Sequence, residues 1–139
     1  PFGILDHDCI FWLGDLNYRL TGLSDTDIRA LVAQRNWATL LTCDQLLQQK
    51  QNGLAFVPFQ EGRIDFAPTY KTIVGSSQYD PLRPPAWCDR VLWRGAAIKL
   101  LQYDSIPQIV SSDHLPVVAR FELDIKAVIP ERRAAVMVD

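Results

Sequence analysis

The sequence predicts an α/β chain whose strands pack as a sandwich flanked by helices. Three observations carry that reading. Cys9–Leu13 is a short apolar and aromatic run of strand length, two helical patterns lie between residues 25 and 50, and three strand-like runs follow residue 90. The 139 residues suffice for one domain with a core of its own.

Taken in order, residues 9–13 (Cys-Ile-Phe-Trp-Leu) read as a buried strand, with Trp12 in the core. Ser24 followed by Asp27 resembles a capping box with Asp in place of Glu, and Ile28, Leu31 and Val32 then fall at helical spacing. This predicts a helix over 25–35. A second helix is predicted over 37–50, carried by Trp37, Leu40, Leu41, Leu46 and Leu47 and closed by Gly53. From 54 to 90 the helical period is lost, and Pro58, Gly62, Pro68, Gly75, Pro81, Pro84 and Pro85 punctuate the chain. One short strand is expected near Ile64–Ala67. The aromatic content of this long segment (Phe56, Phe59, Phe66, Tyr70, Trp87) predicts an ordered, functional loop. Strands are predicted at Val91–Arg94, Ile98–Tyr103 and Pro116–Leu123, with Trp87 and Trp93 in the core. Residues 124–139 read as a tail or the start of a linker, with a charged break at Glu131–Arg133. A chain that opens at Pro1, directly before a core strand, reads as a piece of a longer protein.

Composition excludes some classes. A net charge of -2 and a pI near 5.6 argue against wrapping a nucleic-acid backbone, while leaving room for a local basic pocket. Three irregularly spaced cysteines, Cys9, Cys43 and Cys88, form neither a disulfide framework nor a zinc pattern and fit a reducing, cytoplasmic setting. No apolar run approaches the roughly 18 residues that span a bilayer.

Three polar clusters sit beside apolar strands: Gly14-Asp15-Leu16-Asn17-Tyr18-Arg19, Trp87-Cys88-Asp89-Arg90 and Ser111-Ser112-Asp113-His114. The first ends its strand and the others begin theirs. In a sandwich of antiparallel neighbours those ends can share one edge. Together they would hold Asp15, Asn17, Asp89, Asp113 and His114. Hydrolysis of a phosphate ester needs an activated water, donors for the phosphoryl oxygens and help for the leaving oxygen. A carboxylate base, a carboxamide and a carboxylate-held histidine supply these, and a further carboxylate can bind a hard cation. Each cluster alone also has a structural reading: a strand-end turn, an ion pair, a loop hydrogen bond. Three in one domain favour a site. Arg19 and Arg90 are expected to be ion-pair partners bracing its acidic groups.

The strings FWLGDLNYR (Phe11–Arg19) and PPAWCDRVLW (Pro84–Trp93) resemble the two signature motifs of the inositol polyphosphate 5-phosphatases. SSDHLPV (Ser111–Val117) resembles their third motif and PTYK (Pro68–Lys71) their substrate loop, in the same order, over residues 6–123. The resemblance implies a DNase I-like two-sheet sandwich flanked by helices and removal of the 5-phosphate from phosphoinositides or soluble inositol phosphates with Mg²⁺. It also implies a peripheral membrane surface rather than nucleic acid as the setting. It assigns Asp15 to the attacking water, Asn17 and His114 to the scissile phosphate, and Asp89 to orienting His114. Asp113 falls in or beside the metal site, and Tyr70, Lys71 and Arg83 bind the neighbouring 4-phosphate. The family's metal-binding glutamate lies in the N-terminal half of its domain. Residues 1–123 therefore resemble the C-terminal part alone, expected to be poorly active by itself. Two other readings share features with this one: an endonuclease of the same fold, which shares Gly-Asp-x-Asn and Ser-Asp-His, and a catalytically dead binding module.

Overall fold

Two antiparallel sheets organise the structure, a computed structural model that describes residues 3–125 and residue 127. The elements run as a single turn of 3₁₀ helix (Ile4–Asp6), β1 (Ile10–Asp15), α1 (Asp25–Ala33), α2 (Trp37–Thr42), α3 (Gln45–Gln51), β2 (Gln60–Glu61), β3 (Asp89–Arg94), β4 (Ile98–Ser105) and β5 (Val117–Leu123). The first sheet has the order β1-β3-β2, and the second pairs β4 with β5.

The helices form where their caps permit. Ser24 Oγ accepts from the Asp27 backbone N–H at 3.1 Å and starts α1 as the capping box predicts. The predicted helix over 37–50 is instead two. Asp44 Oδ1 caps a new helix by accepting from Leu47 N at 3.0 Å, after Cys43 has closed α2. A residue committed to capping sits in extended backbone, so the helical pattern is cut there.

One core cluster gathers Ile28, Leu40, Ile64, Phe66 and Trp87 between the helices and the second sheet; the other gathers Ile10, Leu46, Phe59 and Leu92 behind the first. Trp87 is fully buried and donates its indole N–H to Phe66 O at 3.1 Å. Trp93 is also buried, as expected. The segment Ile64–Ala67 is no strand; the short strand lies at Gln60–Glu61, paired with Trp93 and Leu92 of β3. Gly62 follows because a Cβ there would stand 2.6 Å from Leu100 and 2.8 Å from Tyr103. Only glycine lets β2 run this close beneath the second sheet.

The expectation of a buried first strand is corrected. Only Ile10 is buried, whereas Phe11, Trp12 and Leu13 are 41%, 37% and 63% exposed. The cause is topological: β1 pairs with β3 on one side and, among the described residues, with no strand on the other. Trp12 therefore packs only partly, against the rings of Phe56 and Phe59, and Phe11 against Phe121 of the second sheet. The expected tail lies outside the described residues beyond Ile125, apart from Ala127.

Candidate active site

The register of β1 against β3 sets Asp15 directly opposite Asp89. Opposed residues of an antiparallel pair share a face, so two carboxylates meet at the end of the ladder. Like charges so placed repel. Solvent at the exposed Asp15 screens that repulsion, and a cation between the two would relieve it further. The ladder continues one step as Leu16 N donates to Cys88 O at 2.8 Å, and the chain then turns away.

The turn is made by Asn17. Its φ of 58° lies in the left-handed region that asparagine tolerates, and its N–H donates to Asp15 Oδ1 at 2.9 Å. The strand-end turn and the site are thus the same object. Gly14, at φ 135°, supplies the backbone freedom just before it.

His114 arrives through a short bridging segment that the sequence places inside the long loop. Tyr70 exchanges backbone hydrogen bonds with Ala86 at 3.2 and 2.8 Å, while Leu115 N donates to Thr69 O and Thr72 N to Asp113 O at 2.8 and 2.9 Å. Residues 69–72 thereby lie between the second and third motifs and draw them together. His114 Nδ1 stands 2.8 Å from Asp89 Oδ2, which also accepts from Thr69 Oγ1 at 3.2 Å. An ionised carboxylate can only accept, so this contact calls for the proton on Nδ1 and leaves Nε2 as the ring's free nitrogen. The Tyr70 ring lies 4.5 Å from the imidazole and fixes its tilt.

Asp15, Asp89 and His114 each offer a ligand atom, and these lie within 4.8 Å of one another. The two carboxylates suit a divalent cation with a preference for oxygen, while the His114 Nδ1 proton is committed to Asp89. Asp113, expected in or beside the metal site, carries a salt bridge to Lys71 at 3.1 Å. That hydrogen bond and charge pair raise the Lys71 ammonium above its ordinary range and lower the Asp113 carboxyl. The Arg83 side chain is exposed and lines a cavity of about 430 Å³ together with Asn17 and Arg19. Its backbone is held by Asp80 Oδ1 on one side and Arg29 on the other, both at 3.0 Å. The structure thus brings Asp15, Asn17, Asp89, His114 and Tyr70 together. It sets Lys71 with Asp113, and Arg83 beside Asn17.

Arg90 is an ion-pair brace, but its partners are Asp44 and Glu61 rather than the site's own carboxylates. Its guanidinium is buried, with Nε and Nη2 on the two oxygens of Glu61 at 2.6 and 2.9 Å and Nη1 on Asp44 Oδ2 at 2.8 Å and Trp87 O at 3.2 Å. Burial disfavours its charge, but Glu61 and Asp44 outweigh burial and hold it protonated. Arg19 departs from expectation. Among the described residues it forms no salt bridge; it donates to Asn17 Oδ1 at 2.5 Å and lies over the Tyr70 ring, 4.2 Å from its centroid. Residues of the brace that the sequence reading missed, Asp44 and Glu61, announce themselves only weakly: Asp44 by its cap position, Glu61 by nothing local.

Residues 2–120 match the endonuclease/exonuclease/phosphatase family 2. The chain belongs to that family. Within it, the resemblance is to the inositol polyphosphate 5-phosphatases. The chain is 43% identical over 131 residues to the type II inositol 1,4,5-trisphosphate 5-phosphatase of Mus musculus, covering 92% of this chain and 13% of that protein. It is 41% identical over 133 residues to a phosphatidylinositol 4,5-bisphosphate 5-phosphatase of Saccharomyces cerevisiae, covering 94% and 14%. Among solved structures, the 5-phosphatase domain of SpSynaptojanin, in complex with inositol (1,4)-bisphosphate and calcium, superposes with a TM-score of 0.88. It is 38% identical over 96% of this chain and 40% of that domain. A Cimex nitrophorin, solved as a ferrous NO complex, has a TM-score of 0.78 and 35% identity over 85% of this chain and 42% of its own. The chain therefore spans less than half the length of each of these family relatives. The expected two-sheet, DNase I-like architecture is the one observed.

Proposed function

We propose that the intact protein is a Mg²⁺-dependent phosphomonoester hydrolase that removes the 5-phosphate from phosphoinositides such as phosphatidylinositol 4,5-bisphosphate, or from soluble inositol polyphosphates. The observation that carries this reading is the Asp15–Asp89–His114 cluster, in which Asp89 holds the His114 Nδ1 proton at 2.8 Å.

The geometry supports the following roles. Asp15, at the ladder's end, orients and deprotonates the attacking water. Asn17 offers its carboxamide to a phosphoryl oxygen. His114, oriented by Asp89 and Tyr70, turns Nε2 toward the phosphate and, when protonated, stabilises the charge that develops on it. Asp15 and Asp89 would hold the divalent cation, which when bound polarises phosphoryl oxygens and neutralises their charge. Tyr70, Lys71 and Arg83 serve the neighbouring 4-phosphate, where a hydroxyl, a point charge and a planar guanidinium suit its oxygens. Residues 1–123 form the C-terminal part of the catalytic domain. A glutamate from the preceding part completes the metal set, alongside Asp113, so the fragment alone turns over poorly. The working surface is a membrane approached from the cytoplasm, not nucleic acid.

The test is phosphate release by the intact protein from a 4,5-bisphosphorylated inositide, with and without a chelator, against nicking of supercoiled plasmid. Chelator-sensitive phosphate release without nicking is expected. Nicking alone would instead point to an endonuclease. The nitrophorin likeness motivates a second reading, a binding module without turnover. The absence of both activities in the intact protein would favour that reading.

A further inference from the structure

We propose that Arg19 is a positioning residue that fixes the polarity of the Asn17 carboxamide and ties it to the Tyr70–His114 ring pair. This inference rests on the phosphatase reading above for its kinetic consequence, but not for its geometry.

An asparagine side chain has two ends of similar shape, an oxygen that accepts and a nitrogen that donates. To serve a phosphoryl oxygen, Asn17 must turn its Nδ2 toward the reacting centre. The amide cannot choose this by shape, so a neighbour must choose for it. Arg19 does so, because a guanidinium has donors only. Its Nη2 donates to Asn17 Oδ1 at 2.5 Å, which holds the oxygen away from any other task and leaves Nδ2 as the free end. The Asn17 backbone is fixed separately by its N–H on Asp15 Oδ1.

Arg19 is itself held on three sides. Its backbone N–H donates to Gln45 Oε1 at 2.9 Å, and its carbonyl accepts from Gln45 N at 2.9 Å. Its guanidinium rests 4.2 Å over the Tyr70 ring, a cation–π contact. Tyr70 in turn lies 4.5 Å from the His114 ring. One planar group thus joins the turn after β1 to the loop that carries the imidazole. A lysine could replace the charge, but it lacks the planar fork needed to lie on a ring and donate in its own plane.

The test is a double-mutant cycle in the intact protein on inositol 1,4,5-trisphosphate, with Arg19→Ala, Asn17→Ala and the pair together. Arg19→Ala is expected to lower kcat by about tenfold or more with KM within about twofold, since misplacement of a reacting group acts on the transition state. In the Asn17→Ala background the same change should cost at most about threefold more, since the two residues act as one unit. Losses that multiply would mean Arg19 meets the phosphate on its own and would overturn the proposal. So would unchanged kcat in Arg19→Ala. Should Arg19→Ala fail to fold, Arg19→Lys takes its place, with the same reduced kcat expected and wild-type kcat contradicting. Independently of turnover, NMR relaxation of the Asn17 side-chain amide should show lower order in Arg19→Lys than in the wild type. Unchanged order overturns the proposal even if the wild type releases no phosphate, a result that would refute the phosphatase reading instead.

Discussion

Asp89 and Arg90 are neighbours on β3, yet they live in opposite electrostatic worlds. Asp89 faces the gap between the sheets, half-buried, beside Asp15 and His114. Arg90 points to the other face, where its side chain is wholly buried and every bond it makes is to Glu61, Asp44 or a backbone carbonyl. Strand alternation alone produces this split. The pairing on one face is closed and complete, which suits a brace. On the other face two carboxylates remain in opposition with open coordination, which suits chemistry. A strand anchored by a buried ion network on one side can hold unfavourable charge on the other.

The largest expected effect breaks the chemical face alone. Asp15→Ala and His114→Ala in the intact protein should each lower phosphate release by about a hundred- to ten-thousandfold. Thermal midpoints should hold, because both side chains stand on the open face; circular dichroism melts beside the kinetics check this. The next breaks the buried face. Arg90→Met strands two buried carboxylates and should destabilise by ~3–5 kcal/mol in urea titrations. A smaller effect sharpens the substrate assignment. Lys71→Ala should weaken turnover of 4,5-bisphosphorylated inositide by about tenfold, since a charge-assisted hydrogen bond is worth ~1.5–3 kcal/mol. A substrate without the 4-phosphate should be affected much less, and equal losses on both would remove Lys71 from that subsite.

The smallest effect concerns the loop that carries Lys71. Tyr79 donates its hydroxyl to Pro68 O at 2.7 Å, and burial pushes its phenol up to about 12. The neutral form is the one the fold holds. Its contribution is complete below the ordinary tyrosine pKa of about 10 and is lost as pH rises through the raised value. Tyr79→Phe should therefore cost ~1 kcal/mol at neutral pH. It should also flatten the stability decline between about pH 10 and pH 12 in alkaline denaturation curves.

Much of the site was legible because its residues sit in three local strings, and the antiparallel register that joins Asp15 to Asp89 follows from a strand end meeting a strand start. The first helix was legible from its cap, Ser24 with Asp27. What stayed hidden was non-local. Nothing near Glu61 signals that it will meet a guanidinium 29 residues away, or that Gly62 is there to let the chain pass under Tyr103. The helix broke at Asp44 because that carboxylate caps α3 and pairs with Arg90 at once, a double duty that periodicity cannot register. The exposure of β1 is not legible in its sequence because an apolar run reports a preference for burial, while the sheet order decides whether a neighbour supplies it. Charge alone predicts an ion pair for Arg19; its partners are an amide and a ring.

Asp89→Asn in the intact protein tests the division of labour along β3 most directly, with kcat and the thermal midpoint taken on one preparation. The carboxamide keeps the shape but loses the charge that holds the Nδ1 proton of His114. We predict that kcat falls by about a hundredfold or more while the midpoint stays within a few degrees of wild type. A midpoint that collapses together with activity, or activity that survives the change, would contradict it.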